Sequence, residues 1–452
     1  MFCIDGTRRV FLTAIVICVI LADGCSQTEV QQSANPVAAE TSRETTDSEE
    51  GTDRGMDRLI DTMSRLGEKR DAHTLGVRSL KDEAERQSRG GEFPPIEKEL
   101  DELVALESEF RGQPIGCLTV VHLCLLASSY PGTERPVHQA LDTVLVHLEK
   151  YGHLKDLAIA FERLKAHDGI STGDALSRLI DTKGTLPFVR ESARLCKARW
   201  QLEMVTNRDM TASGVEELTD PAEIARMQEY LKKNYPSETE AQQWIIAAIS
   251  ELDALTANAT EYHVSVFKAV DPKGIVLTED AERTAQGPTI AALAKGLSFR
   301  AKHLSPGGDA PKLEVKLVTG DQWALRDQSR KLVIVQFSYK GCGPCERMYP
   351  VLRDIVRDYP DKVSVLSVMA DASVETTQEA IEAGKMTWNV TWDGASGPIA
   401  TEWGIRNFPS VFLFDAEKKL FVSDIPAEDL AEVVKALLSQ DAASKLTIEA
   451  KS

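Results

Sequence analysis

An apolar strand that leads directly into a pair of cysteines constrains the fold of this chain more than any other segment. Residues 332–337 form an apolar run of strand length, and the sequence GCGPC follows at residues 341–345. Apolar side chains then recur at helical spacing, at Met348, Val351, Leu352 and Ile355. The pattern predicts a buried strand, a short loop that carries both cysteines, and an amphipathic helix.

The position of the two cysteines predicts redox chemistry. A loop between strand and helix places Cys342 at the helix N-terminus, where unpaired backbone N–H groups and the helix dipole favour a thiolate. Cys345 lies one turn into the helix, within bridging distance. Pro344 suits the first helical turn, and Gly343 is expected to make the tight turn of the loop.

Two further segments place this unit in a known fold. A second strand pattern follows the helix at residues 363–369, as a βαβ unit requires, and Pro409 precedes an apolar strand at residues 411–414. Together with the cysteine pair, these features resemble the thioredoxin superfamily over residues 305–440. The resemblance implies an α/β/α domain, a cis peptide bond at Pro409 that faces the cysteines, and a substrate contact at Phe408.

Within that superfamily, the chain is most similar to the membrane-anchored, TlpA-like thiol-disulfide oxidoreductases. Residues 304–311 resemble the leading segment of that branch, and residues 313–318 with 322–325 resemble its first hairpin. The resemblance implies protein thiols or disulfides of the cell envelope as substrates, apocytochrome thiols among them, and a membrane-bound electron donor as a further partner. The substrate-binding set that it implies comprises Gly341, Gly343, Pro344, Phe408 and Pro409.

Three positions depart from the family pattern. Gly341 stands directly before the first cysteine, where Trp is common, so an aromatic lid is absent. Gln336 stands where thioredoxins place a buried acid, and Met348 stands where several TlpA-like reductases carry Glu. Neither side chain can accept a proton from a thiol, so a low pKa for Cys345 does not follow from the resemblance.

A structural disulfide and half of a zinc site are the two simpler interpretations of the pair. A zinc site needs two more Cys or His ligands, but every histidine and every other cysteine of the chain lies before residue 305. A peroxiredoxin loop would require Pro and Thr where Val335 and Tyr339 stand. We therefore expect no metal and no cofactor other than the redox-active Cys342–Cys345 disulfide.

The N-terminus indicates export. Arg8 and Arg9 precede an apolar run at residues 10–21, which has the length of a signal peptide and is short for a membrane span. The run ends before Cys25 in a sequence that resembles a bacterial lipobox, and the arginine pair also resembles a twin-arginine signal. We expect residues 1–25 to direct export to the bacterial cell envelope, with lipidated Cys25 tethering a body that faces the periplasm. The alternative is a plain secretory signal, in which Cys25 is coincidental or the segment is an uncleaved anchor.

Charge and composition limit the partners. Residues 26–54 are polar and nearly devoid of aromatic and branched apolar side chains, so they predict a disordered tether. The formal net charge of the whole chain is −18, which disfavours nucleic acid and anionic lipid head groups as partners.

The middle of the chain, residues 55–300, is predicted to be mainly α-helical. Ser237 with Glu240 forms a capping-box pattern, and Pro221 follows Asp220 at a predicted helix start. Residues 117–126 are apolar nearly all round and predict a helix at the centre of a core. The overall class is α+β: a mainly helical domain, then the thioredoxin-like domain, then a flexible tail at residues 441–452.

The helical region contains Cys117, Cys124 and Cys196. Residues seven apart on one helix are separated by about 10.5 Å along its axis, so Cys117 and Cys124 are too distant to bond to each other. Burial as small apolar residues is the expected state of these thiols, while a disulfide from Cys196 to either partner is open.

Two functional hypotheses follow. In the first, the C-terminal domain is a thiol-disulfide oxidoreductase in which Cys342 exchanges disulfides with a substrate and Cys345 resolves the mixed disulfide. In the second, the domain is a redox-inactive binding module attached to a helical protein-interaction domain.

Overall fold

The chain folds into two compact units. The computed structural model describes residues 46–82, 85–86, 89, 95–129, 136–164, 171–216, 218–258, 262, 289–329, 331–395 and 397–449. One unit ends at Ile290 and is helical in its described part, and the other begins at Ala291 and contains the sheets. The predicted α+β class is confirmed. The predicted export signal with Cys25, and residues 26–45 of the predicted tether, lie outside the described ranges.

The helical unit is built from helices of very different lengths. They are α1 (Thr46–Ser79), α2 (Glu97–Glu109), α3 (Pro114–Ser129), α4 (Pro136–Leu145), α5 (Leu157–Arg163), α6 (Ser171–Asp181), α7 (Pro187–Glu216), α8 (Pro221–Asn234) and α9 (Glu238–Ala257), with a 3-10 turn at Leu148–Tyr151. Within the ranges that the structure describes, no helix is long and apolar enough to cross a membrane.

Helix α3 forms the centre of this unit, as its apolar sequence predicts. Val120, Val121, Leu123 and Cys124 have no exposed surface, so the helix is enclosed by neighbours on opposite faces. Two predicted helix starts are also confirmed. The Asp220 side chain accepts a hydrogen bond from the Ala222 backbone ahead of α8, and Ser237 and Glu240 cap α9 reciprocally.

The two ends of the described chain are more helical than predicted. Helix α1 begins at Thr46, so residues 46–54 of the predicted tether are helical. Helix α14 (Ala427–Glu449) extends through most of the predicted flexible tail at residues 441–452. Both extensions have the same physical reason: once a helix is nucleated by packing, each further residue adds one hydrogen bond at little cost.

The predicted boundary between residues 300 and 305 is wrong. Helix α10 (Ile290–His303) lies almost entirely in the second unit, where the Phe299 ring is 6.1 Å from that of Trp403. Arg300 also donates to the Asp424 carboxylate at 3.3 Å. The apolar face of α10 therefore packs on the sheet domain, which begins about fifteen residues earlier than the sequence pattern indicates.

The second unit alternates strands and helices. Its elements are α10, β1 (Glu314–Lys316), β2 (Gln322–Ala324), β3 (Leu332–Ser338), α11 (Gly343–Asp358), β4 (Val363–Met369), α12 (Val374–Glu382), β5 (Asn389–Trp392), α13 (Pro398–Glu402), β6 (Ser410–Phe414), β7 (Leu420–Ser423) and α14. The main sheet has the order β5-β4-β3-β6-β7. Strands β3, β4 and β5 run parallel to one another, β6 is antiparallel to its neighbour β3, and β7 is antiparallel to β6. The predicted first hairpin is the antiparallel pair of β1 and β2.

Alternate side chains of β3 face two separate cores. Val333, Val335 and Phe337 pack in one cluster with Trp403 and Phe412. Leu332 and Ile334 pack in the other, together with side chains of α11 such as Met348, Leu352 and Ile355. The sheet is therefore covered on both faces, and the β3 residues with even numbers lie on the face covered by α11.

Candidate active site

The cysteine pair lies where the sequence predicts, at the junction of β3 and α11. Cys342 and Cys345 form a disulfide, with their Cα atoms 5.2 Å apart. Cys342 is the N-cap of α11, and its sulfur accepts a hydrogen bond from the Cys345 backbone N–H at 3.2 Å. A sulfur at this position meets the positive end of the helix dipole, which favours its thiolate on reduction.

The residues next to Cys342 are exposed to solvent, whereas Cys345 is not. Cys342 is 3% exposed, but Gly341, Gly343 and Pro344 around it are all exposed, whereas Cys345 is fully buried. A substrate sulfur that approaches along this loop reaches Cys342 before Cys345. The prediction that Cys342 attacks and Cys345 resolves agrees with this order of approach.

The loop makes its sharp turn at a different glycine from the one predicted. Gly341 has a φ of +88°, a conformation that side chains with a Cβ rarely adopt. Gly343 is the first helical residue and has no such φ, so the prediction that it makes the tight turn is wrong. The reason is that Cys342 already caps the helix, so the chain must reverse before it. Pro344 lies in the first helical turn, as predicted.

The Phe408–Pro409 peptide bond is cis, as the resemblance implies. It precedes β6, the neighbour of β3 in the sheet, and the Phe408 side chain packs against the buried cluster that contains Cys342 and Cys345. The Phe408 ring also meets the ring of Tyr339 edge-on, with centroids 5.3 Å apart. The structure thus brings together the loop and the residue that the sequence proposes as a substrate contact.

The position of the expected buried acid holds an amide. Gln336 is fully buried, and its Oε1 accepts a hydrogen bond from Ser367 Oγ at 3.0 Å. Ser367 Oγ in turn accepts from the Trp388 indole N–H at 2.9 Å. Met348, the other departure from the family pattern, is a buried core residue. Neither position offers a group that titrates.

Glu346 is a site residue that the sequence reasoning missed. Its Oε1 accepts from the ammonium group of Lys385 at 2.9 Å and from the backbone N–H of Gly341 at 3.2 Å. The bond from Lys385, followed by the one from Gly341, holds the pKa of Glu346 below its ordinary value. The carboxylate is therefore ionised at neutral pH and ties the active loop to the segment before β5.

Asp371 is the second residue that was missed. It is 4% exposed, and its two carboxylate oxygens accept from the Lys340 backbone N–H and from Thr377 Oγ1, each at 2.7 Å. One usable signal was present in the sequence, because Asp371 follows the predicted strand at residues 363–369. The carboxyl ends of adjacent parallel strands meet at one edge of a sheet, so this signal could have placed Asp371 near the residues that follow β3.

Tyr349 lies in the buried cluster that contains Cys342 and Cys345. Its hydroxyl and Ser338 Oγ share a hydrogen bond of 2.7 Å, and its ring meets that of Trp388 at 6.0 Å. Burial raises the pKa of the Tyr349 hydroxyl, which stays neutral at physiological pH. Tyr349 is therefore a neutral, buried side chain that packs next to the two cysteines.

The cysteines that the structure describes in the helical unit have thiols that are hard to ionise. Cys117, Cys124 and Cys196 are free and buried in the helical unit, so the expected burial of these thiols is confirmed. Burial raises the pKa of all three, that of Cys196 to about 12. Among the residues that the structure describes, no group of three or more His, Cys, Asp or Glu side chains is placed to hold a metal ion.

Comparisons with known proteins match this unit. Residues 306–422 match the AhpC/TSA family. A thioredoxin-like protein of Bacillus subtilis, YneN, is 25% identical over 125 residues, which are 27% of this chain and 71% of that protein. The thiol-disulfide oxidoreductase ResA of Bacillus thuringiensis is 24% identical over 149 residues, 33% of this chain and 85% of its own length.

Solved structures match the same region. A thiol:disulfide interchange protein from a Bacteroides species is 25% identical and covers 30% of this chain and 91% of its own, with a TM-score of 0.28. StoA from Bacillus subtilis is 21% identical and covers 27% of this chain and 96% of its own, with a TM-score of 0.25.

Proposed function

The second unit of this chain is a thioredoxin-like domain related to thiol-disulfide oxidoreductases, and we propose that it exchanges protein thiols and disulfides through Cys342 and Cys345. The observation that carries the proposal is the disulfide at the N-terminus of α11, packed against the residue that precedes a cis proline. An ordinary structural disulfide has no need of either feature.

The chemistry requires only the two cysteines and the substrate. In the reducing direction, the Cys342 thiolate attacks one sulfur of a substrate disulfide, and the electron pair of the broken bond leaves on the other substrate sulfur. The Cys345 thiolate then attacks Cys342, which releases the second substrate sulfur. The two substrate sulfurs take up the protons that the dithiol loses, and the same steps run backwards when the domain oxidises a dithiol.

An aromatic rim supports a polypeptide substrate. Tyr339 and Trp392 are 40% and 41% exposed although both are large and largely apolar, and Tyr339 contacts Phe408. Exposed aromatic side chains of this kind contribute contact area at interfaces at little entropic cost. We infer that an extended segment of the substrate lies against Phe408 and Tyr339 while its sulfur meets Cys342.

We also propose that the chain works outside the cytoplasm, in the bacterial cell envelope. The support is the signal-like segment at residues 1–25, with Cys25 as the lipidated residue that would tether the body to a membrane. A membrane-bound electron donor is the partner that would keep the pair reduced if the protein acts as a reductant.

The test is a redox titration of the full chain in glutathione buffers, with each cysteine followed by alkylation and peptide mass spectrometry. We expect Cys342 and Cys345 to titrate together as one reversible two-electron couple. A potential near about −270 mV would identify a reductant and one near about −120 mV an oxidant. Cys117, Cys124 and Cys196 serve as internal controls and should keep one alkylation state throughout. A pair that never titrates would remove the redox function.

A further inference from the structure

Gln336 presents an unusual buried amide. Its Oε1 accepts from Ser367 Oγ, which itself accepts from the Trp388 indole, so the amide oxygen is turned towards Ser367. The amide nitrogen Nε2 points away from Ser367 and has no hydrogen-bond partner among the described residues. Gln336 is fully buried, so the nitrogen cannot be solvated from outside. Such an unpaired donor is costly, and a functional explanation is warranted.

The register of β3 places this amide beneath the first turn of α11. Gln336 lies on the same face of the strand as Ile334 and Ser338, its neighbours two residues away on either side. Ile334 packs in one cluster with Met348, and Ser338 Oγ bonds the hydroxyl of Tyr349.

Cys345 occupies the matching position on the helix. It precedes Met348 and Tyr349 by three and four residues, so all three lie on one face of α11. That face is the one turned to the sheet, because all three side chains are buried. Gln336, between the two strand residues that contact this face, is therefore next to the resolving cysteine.

We propose that the amide N–H of Gln336 donates a hydrogen bond to the sulfur of Cys345 when the pair is reduced, and so stabilises the dithiol over the disulfide. In the disulfide form shown by the structure, the amide nitrogen has no acceptor among the residues that the structure describes. Reduction breaks the S–S bond with two electrons, and two protons leave Cys345 as a thiol while one proton, taken up by Cys342, leaves it as a thiolate; either sulfur is a better acceptor than a disulfide sulfur. The inference rests on the proposed redox function.

This role differs from that of an acid at the same position. An amide neither takes nor gives a proton, so Gln336 holds the sulfur of Cys345 and leaves proton transfer to the substrate and solvent. Its effect is on the equilibrium between the two redox states. Because it favours the reduced state, Gln336 raises the reduction potential of the pair and makes the domain a better electron acceptor.

The experiment compares reduction potentials of full-length variants in glutathione buffers. Gln336→Leu keeps the approximate volume and removes the donor, and we expect its potential to fall by about 30 mV, which is tenfold in the equilibrium constant of this couple. Ser367→Ala frees the amide to rotate and should lower the potential by less. Ser364→Ala is the matched control. Ser364 is a buried serine of β4, like Ser367, but it pairs with Val333 at the end of the strand away from the cysteines. The reduction potential of Ser364→Ala should equal that of the wild type.

Thermal melting provides a second, independent measurement of the same change, because the stabilities of the two redox forms and the reduction potential belong to one thermodynamic cycle. Gln336→Leu removes an unpaired donor from the oxidised protein. The melting temperature of the oxidised form minus that of the reduced form should therefore be larger in Gln336→Leu than in the wild type. If Gln336→Leu does not fold, Ser367→Ala still decides the question. Potentials of both variants equal to that of Ser364→Ala would overturn the inference while leaving the redox function intact. A wild-type pair that fails to titrate would instead overturn the proposed function.

Discussion

Asp371 is predicted to stabilise the active loop, and its removal should be costly. In Asp371→Ala, the Lys340 backbone N–H and the buried Thr377 hydroxyl both lose a charged acceptor at 2.7 Å. Hydrogen bonds to charged groups contribute about 1.5–3 kcal/mol each, so the free energy of unfolding of this unit should fall by about 3 kcal/mol or more. Asp371→Asn keeps an acceptor for Lys340, and the hydroxyl of Thr377 can rotate to meet the amide, so it should cost about 1 kcal/mol.

The measurement must report on one unit at a time, because a chain with two compact units need not unfold in a single step. Hydrogen exchange followed by mass spectrometry gives opening free energies for peptides that cover β4 and α12, with peptides of α3 as the internal reference. Thr377→Val removes one donor and is the matched control; combined with Asp371→Ala, it should add less than its separate cost, since the two residues share a bond. An Asp371→Ala loss below about 1 kcal/mol, or an equal loss in Asp371→Asn, would refute the reasoning.

Three further predictions concern the site and the export segment. Cys342→Ser should abolish disulfide exchange because it removes the attacking sulfur, while Cys345→Ser should accumulate mixed disulfides on non-reducing gels. The stabilisation that ionised Glu346 gives should be complete above its ordinary pKa of 4.5 and should be lost as the pH falls through its lower folded pKa. Glu346→Gln should remove this pH dependence, as measured by acid denaturation. The expected change in the free energy of unfolding is only a few tenths of a kcal/mol, because solvent screens these charges. Cys25→Ala should release the protein from membrane fractions.

Each of these predictions has a result that contradicts it. Disulfide exchange by Cys342→Ser would show that the pair is not the reactive centre. An acid denaturation profile that Glu346→Gln leaves unchanged would show that the bonds from Lys385 and Gly341 contribute nothing measurable. Continued membrane association of Cys25→Ala would exclude a lipid anchor at that residue, and a Cys18→Ala variant provides the matched control within the same segment.

The centre of the site could be predicted because its determinants are local in sequence. The apolar run of β3, the two cysteines and the amphipathic pattern of α11 follow one another within residues 332–358, and each has a clear signature. The cis bond at Pro409 came from resemblance, since X–Pro bonds are cis in only about 5–6% of folded cases. The choice between Gly341 and Gly343 as the turning residue failed because two glycines flank Cys342, and only the cap geometry decides between them.

The residues that support the loop could not be read from the sequence in the same way. Lys385 meets Glu346 across 39 residues, and Asp371 meets Lys340 across 31. Those contacts depend on the order of the strands and on the path of the chain before β5, which a local pattern does not contain. Helix α10 was likewise assigned to the wrong unit because its apolar spacing shows that one face is buried and not which surface covers it.

Two ion pairs near the cysteines bear on which sulfur attacks. Glu346 binds Lys385 at 2.9 Å, and Lys340 binds Glu379 at 2.5 Å, so two carboxylates near the loop are each balanced by an ammonium group. Balanced charges change the local potential little at the helix N-terminus. The backbone N–H groups and the dipole of α11 act directly on Cys342, the cap of that helix, while the Asp371 carboxylate on the Lys340 backbone N–H adds a negative charge to the same loop. The helix therefore favours a thiolate at Cys342, whereas Cys345 is fully buried.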